Sequence, residues 1–197
     1  DLGLEKVING LQRQSAIEAS VSKALLAMVV NRLVMPGSEC DTYDWLESQV
    51  YAPEWQGLEL HHLYRSLDFL DKHMPVIEEQ LFFRLRDLFS LEVKLVLFDT
   101  TSSYFEGRGP AGLAATGYSR DKRPDRVQVI IAVLMTRDGI PVAHYVFPGN
   151  TADINAFRRA LKDLKGRFPL DGRVVVVADR GAVSEPLLQA LEGEEQE

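Results

Sequence analysis

Two aspartates each end a run of apolar residues, and carboxylates in such positions can bind a metal ion. Asp99 follows the run Leu95–Phe98 and precedes a row of hydroxyl side chains, and Asp179 follows the run 174–178. Continuous apolar runs are typical of strands buried on both faces. If the strands are parallel neighbours, both carboxylates lie at the same sheet edge. The alternative is that each aspartate only caps the turn after its strand.

Such a pair of carboxylates suggests phosphodiester chemistry. Two close carboxylates repel each other unless a cation or a proton lies between them. Hard oxygen donors suit Mg²⁺ or Mn²⁺, which also accept substrate phosphates. Two such ions can activate water and stabilise the leaving oxygen of a phosphodiester.

The segment 91–197 predicts an α/β arrangement that would bring the two aspartates together. The order is β-β-β-α-β-α, and a right-handed crossover through the first helix makes the last strand parallel to the first. Asn150 or Thr151 is expected to cap that crossover helix, with the acid Asp153 in its first turn. The predicted elements are strands at 95–98, 127–135, 140–147 and 173–178, a loop at 106–126, and helices from about 151 to 165 and 184 to 191.

The segment 1–90 predicts an all-helical region with little sign of chemistry. Apolar residues recur at helical spacing over 4–34, and a short helix around Trp45 could be capped by Ser38 or Asp41. A third helix is expected over 60–70, and Pro75 suits the first turn of a fourth. We therefore predict two domains, a helical region at 1–90 and the α/β segment at 91–197.

Composition narrows the class of protein. With 46% hydrophobic and 26% charged residues, the chain matches an ordinary globular protein. No apolar run approaches the roughly 20 residues of a membrane span, and a single cysteine favours a reducing, cytoplasmic setting.

The net charge of −7 argues against a simple nucleic-acid binder, yet residues 93–184 carry 14 basic and 9 acidic side chains. We expect four residues of the basic loop to contact a DNA backbone, with a solvated loop as the alternative: Arg120, Lys122, Arg123 and Arg126.

Three segments of the chain resemble a known protein family, and they occur in the order expected for that family. LVLFDTTSSYFEG, then GYSRDKRPDRVQVIIAVLMTRDGIPVAHYVFPGNTADINAF, then VVVVADRGAVSE are similar to the DDE transposases of bacterial insertion sequences. The resemblance covers roughly 92–190 and implies a ribonuclease H-like catalytic core.

The resemblance assigns roles to residues of this chain. Asp99 would be the first catalytic acid and Asp179 the second, both metal ligands, with Thr100 and Arg180 following them as in the family pattern. We expect Arg180 to lie at the DNA with the loop residues. The implied activity is Mg²⁺- or Mn²⁺-dependent cleavage at insertion-sequence ends, then strand transfer into target DNA. The implied partners are double-stranded DNA and a second copy of the chain, in the bacterial cytoplasm at the nucleoid.

The third acid of the family pattern has no match here. The family requires a glutamate on a helix well downstream, whereas Glu185 follows Asp179 too closely and the last glutamates form a charged tail. We therefore expect a C-terminally truncated fragment that binds Mg²⁺ weakly and does not cleave DNA alone. A non-catalytic regulator that binds DNA or dimerises is one alternative. A haloacid dehalogenase-like phosphohydrolase is another, although Thr101 stands where that chemistry requires an acid.

Overall fold

The structure, a computed structural model, describes residues 3–89, 95–119, 122–168 and 174–183. The chain divides into two compact units, Asp1–Leu88 and Phe89–Glu197. Within these described ranges no helix combines the length and the apolar composition that a membrane crossing requires.

The first unit is helical. Its buried residues form small clusters, one around Leu58 and Leu63 and another around Ile8 and Phe69. These clusters join helices that are distant in sequence. The elements are α1 (Leu4–Gln12), α2 (Val21–Val34), α3 (Glu39–Ser48), a 3₁₀ turn (Pro53–Trp55) and α4 (Leu60–Phe89).

The predicted continuous helix over 4–34 is wrong, because the chain leaves the helical path between α1 and α2. The Gln12 side chain donates from Nε2 to the carbonyls of Ile17 and Ala19, at 3.0 and 2.8 Å, and accepts from the Val21 amide at 3.0 Å. Ser20 then caps α2. One glutamine thus supplies the hydrogen bonds that the broken helix loses.

The predicted cap of α3 is confirmed, since Ser38 and Asp41 form a capping box. The predicted helix start at Pro75 is wrong, because α4 runs through this proline. Buried Phe69 and Ile77 lie on either side of it at helical spacing. Packing of one continuous apolar face outweighs the single N–H donor that a proline removes.

The second unit holds a mixed four-stranded sheet. Strand order is β3-β2-β1-β4, with β1 antiparallel to β2 and parallel to β4. The predicted fold class is confirmed in the described residues as a mixed α/β sheet preceded by an all-α region. The predicted helix at 184–191 lies outside them. The elements are β1 (Leu95–Tyr104), β2 (Gln128–Thr136), β3 (Pro141–Pro148), α5 (Asp153–Arg167), β4 (Val175–Ala178) and a 3₁₀ turn (Arg180–Ala182).

Helix α5 covers one face of the sheet. Phe98 is 4% exposed, and its ring lies 5.1 Å from the ring of Phe157 on α5. On the other face of β4, Val177 is 46% exposed. The predicted cap by Asn150 or Thr151 is wrong, because Ala152 occupies the cap position without a side-chain bond.

Candidate active site

Asp99 lies within β1, not at its end. The strand continues to Tyr104, and its antiparallel ladder with β2 includes Asp99 opposite Val133. Only the parallel ladder with β4 stops at Phe98. The predicted strand end at Phe98 is therefore wrong, although Asp99 does mark the point where β4 leaves β1.

Asp179 follows the last residue of that parallel ladder. Phe98 pairs with Ala178, so Asp99 and Asp179 come next on neighbouring parallel strands. Neighbouring strands lie about 4.8 Å apart. Leu97 and Val177 form the ladder pair just before Phe98 and Ala178, and both lie on the more exposed face of the sheet. Successive side chains of a strand alternate between its two faces. Both aspartates are exposed, and each follows the last residue of the parallel ladder on its own strand. The structure therefore places the two residues at neighbouring backbone positions, as predicted.

The hydroxyl after Asp99 faces the other way. Thr100 is 5% exposed, and its Oγ1 donates to Asp153 Oδ1 at 3.1 Å. Its backbone N–H donates to Asp99 Oδ1 at 2.8 Å. Thr100 therefore connects the Asp99 carboxylate on one face of the sheet to the first turn of α5 on the other.

Asp153 is a residue that sequence reasoning missed as part of this region. The sequence marked it only as an acid in the first turn of the crossover helix. Its carboxylate lies close to the turn after Asp179, where a Cβ added to Gly181 would lie 3.3 Å from Asp153 Oδ2. The only signal in the sequence for Asp153 was the predicted topology. A crossover helix that leads to the strand before Asp179 is expected to begin near Asp99.

The described basic loop residues are held in an ion-pair cluster. Arg123 donates from Nε and Nη2 to the two carboxylate oxygens of Asp125, both at 3.0 Å. Arg126 Nη2 lies 3.2 Å from Glu106 Oε2, and its Nη1 donates to the Glu106 carbonyl at 3.1 Å. Lys122 is exposed. Predicted DNA contacts at Arg123 and Arg126 therefore start from guanidinium groups that already have acidic partners.

Charge pairing in this cluster shifts the pKa values of two side chains, Asp125 and Arg123. The hydrogen bonds from Arg123 hold the pKa of the Asp125 carboxyl below its usual value, with Arg126 adding a smaller attraction. The same bonds raise the pKa of the Arg123 guanidinium. The guanidinium also lies over the Tyr104 ring, 5.2 Å from its centre. The cluster thus fixes this loop against the end of β1.

Close backbone packing holds the loop from its other side. Gln128 is 1% exposed and donates from Nε2 to the carbonyls of Tyr118 and Gly149, at 3.0 and 2.9 Å. A Cβ on Gly149 would lie 2.1 Å from the Gln128 carbonyl oxygen. Only glycine fits at this approach.

Some predicted site residues fall outside what the structure describes. Arg120 and the glutamates from Glu185 onward lie outside the described residues, and for Arg180 only the backbone is described. In the described ranges no three histidine, cysteine, aspartate or glutamate side chains form a group that could hold a metal ion. Among the residues described, no third such side chain joins Asp99 and Asp179 in a metal-binding group.

Comparison with known structures gives weak similarities. The Mos1 transposase paired-end complex with left transposon end is 12% identical over 91% of this chain, with a TM-score of 0.35. The Mos1 strand transfer complex is 13% identical over 91% of this chain and 76% of its own, again with a TM-score of 0.35. This chain spans 59% of the length of the first. A search of curated proteins finds no match.

Comparison with protein families gives a direct assignment. The family model described as "Transposase DDE domain" matches residues 94–197, more than half of the 197-residue chain. The matched range contains β1 to β4 and both aspartates of the candidate site. The chain therefore belongs to the family of transposases with a DDE domain.

Proposed function

We propose that this chain acts in DNA transposition and supplies the first two acids of a DDE site, Asp99 and Asp179. The activity of the whole protein is metal-dependent DNA strand cleavage and strand transfer at the ends of a bacterial insertion sequence. The parallel pairing of Phe98 with Ala178 carries this proposal, because it makes the two aspartates neighbours inside the matched domain.

Asp99 and Asp179 would hold the metal ion. Two exposed carboxylates at neighbouring positions offer the hard oxygen donors that Mg²⁺ and Mn²⁺ prefer, and they leave room for water and phosphate oxygens. A bound divalent ion would activate water and stabilise the leaving oxygen of a phosphodiester. The residues of this chain contribute the ligands and their spacing.

DNA would also contact the basic loop, which lies against the end of β1 at Tyr104. Lys122 is exposed and available for a phosphate contact, while Arg123 and Arg126 would have to exchange Asp125 and Glu106 for phosphate. Arg120 and Arg180 complete the proposed DNA-contacting set. Phosphate contacts of this kind make binding salt-dependent. Pairing of two DNA ends implies a second copy of the chain.

A DNA-binding titration with and without Mn²⁺ tests the proposal. Without a cation the two carboxylates repel phosphate, so Asp99→Asn or Asp179→Asn should strengthen binding of a labelled duplex in EDTA. Added Mn²⁺ should strengthen binding to the parent chain and have little effect on either variant, because each lacks one ligand. Asp138→Asn, the same charge change in the exposed β2–β3 turn, should keep the Mn²⁺ effect.

Two results would contradict this account. The first is binding to the parent that does not respond to Mn²⁺. The second is a response that persists in Asp99→Asn. A plasmid-nicking assay adds a separate measurement: we expect no nicking from two acids alone, and nicking abolished by Asp99→Ala would show a complete site.

A further inference from the structure

We propose that Asp153 is a positioning residue that holds the two strand ends together, so that Asp99 and Asp179 remain side by side. This proposal rests on the proposed function, since it concerns the same site. It assigns to an acid on α5 a role distinct from metal binding.

The first contact of Asp153 is with β1. Thr100 Oγ1 donates to its Oδ1 at 3.1 Å, and Thr100 is 5% exposed. Thr100 is the residue directly after Asp99, at the position where β1 loses its partner β4. A hydrogen bond to a carboxylate is stronger than one between neutral groups. Asp153 therefore fixes β1 where the parallel ladder no longer does.

Asp153 also lies close to the turn after β4. A Cβ on Gly181 would lie 3.3 Å from its Oδ2, so the carboxylate lies against this turn. The turn is closed by a 2.9 Å hydrogen bond from the Ala182 amide to the Asp179 carbonyl, and Ala182 is 3% exposed. One carboxylate therefore accepts a hydrogen bond from the strand carrying Asp99 and lies close to the turn that begins at Asp179.

Asp153 belongs to a helix that packs on the sheet. It is the first residue of α5, where a negative charge is stabilised by the helix dipole. The helix is anchored to the sheet through Phe157, whose ring lies 5.1 Å from that of Phe98. Thr100 and Asp99 point to opposite faces of β1, so Asp153 lies on the face opposite the two proposed ligands. This arrangement suits a residue that positions the ligands.

Disulfide formation between the two strand ends tests the proposal without metal. In a Cys40→Ser background, Asp99→Cys with Asp179→Cys should form a disulfide, because neighbouring strands fall within the usual Cα separation of about 4.4–6.8 Å. Adding Asp153→Ala should slow this reaction by about tenfold, since a hydrogen bond to a charged group is lost. Asp153→Asn keeps an acceptor oxygen but loses the charge, so its rate should lie between those of the parent and Asp153→Ala.

Two controls separate local positioning from general loss of structure. Leu95→Cys with Val175→Cys joins the first pair of the same parallel ladder, and its rate should not change with Asp153→Ala. Asn155→Ala, an exposed change in the same turn of α5, should affect neither pair. Thr100→Val should slow the 99–179 reaction as much as Asp153→Ala does, and the double variant should add nothing further.

The outcomes are separable from those of the proposed function. Equal rates with and without Asp153→Ala, or equal slowing of both disulfides, would overturn the positioning role. Failure of the 99–179 disulfide in the parent would overturn it as well, since the strand ends would then not be neighbours. If Asp153→Ala slows only the 99–179 disulfide but the chain shows no Mn²⁺-dependent DNA binding, positioning stands and the proposed function fails.

Discussion

Phe98 and Ala178 are direct partners in the parallel ladder between β1 and β4, and they are the last pair in it. One residue further along each strand stands an aspartate. Phe98 points into the core beneath α5, whereas Asp99 is exposed on the opposite face. The core contact and the proposed metal ligand are thus successive residues of the same strand, so the packing of one sets the position of the other.

Loss of the Phe98 ring should destabilise the chain strongly. Phe98→Ala removes a side chain that is 4% exposed and packs on Phe157, and such changes cost about 3–5 kcal/mol. Val177→Ala, at a position that is 46% exposed, should cost much less. Urea denaturation of both variants measures the difference. Equal losses of unfolding free energy in the two variants would show that α5 does not anchor β1 through the Phe98 ring.

Gln12 should contribute to the free energy of unfolding of the helical unit. Gln12→Ala removes three hydrogen bonds to the segment between α1 and α2 and should cost about 1–3 kcal/mol. Gln14→Ala, two residues further along and exposed, is the matched control and should be neutral. The same denaturation measurement applies. A neutral Gln12→Ala would mean that water replaces these bonds without loss.

The pKa of Asp125 should depend on Arg123. The lowered pKa of this carboxyl means that its ion pair stabilises the fold above the ordinary pKa of 3.8, and that this contribution is lost as pH falls through the lower folded value. Arg123→Ala should raise the pKa of Asp125 toward 3.8. Carboxyl-carbon NMR titration measures it. Arg137→Ala, in the exposed β2–β3 turn, should leave this pKa unchanged, and a change as large as that caused by Arg123→Ala would refute the pairing.

Asp125 should also restrain DNA binding. Asp125→Asn removes the charge that holds Arg123, so this guanidinium becomes available to phosphate, whereas Arg126 keeps its pair with Glu106. We expect tighter binding and a salt dependence steeper by about 1 in log–log slope. Asp138→Asn makes the same charge change in the β2–β3 turn and should have a smaller effect. Weaker binding by Asp125→Asn would instead mean that Asp125 orients the arginines for DNA.

Much of the fold was predictable because its hydrophobic pattern is local. The apolar run of β1, the β2–β3 hairpin and the crossover to β4 all appear in the sequence, and together they predict the parallel neighbourhood of Asp99 and Asp179. The extension of β1 to Tyr104 was not predictable from apolarity. Its polar side chains alternate between faces, and only the ladder with β2 shows that they belong to a strand.

Contacts between distant side chains were beyond the sequence. The bond from Thr100 to Asp153 joins residues whose proximity depends on the register of β1 and the entry point of α5. Pairing of Arg123 with Asp125 depends on loop conformation, and the basic count of the loop gave no sign of it. Local composition shows which charged and polar residues the chain offers for binding. Tertiary structure decides which of them already form ion pairs or hydrogen bonds within the protein.

The most direct test of the central claim is iron-mediated backbone cleavage, because Fe²⁺ bound in place of Mg²⁺ generates radicals that cut the chain next to its ligands. With ascorbate and peroxide, we predict cuts beside Asp99 and beside Asp179, both suppressed by excess Mg²⁺. Both cuts should disappear in Asp99→Asn and in Asp179→Asn, and both should remain in Asp138→Asn. A cut beside one aspartate that survives removal of the other would contradict a shared site.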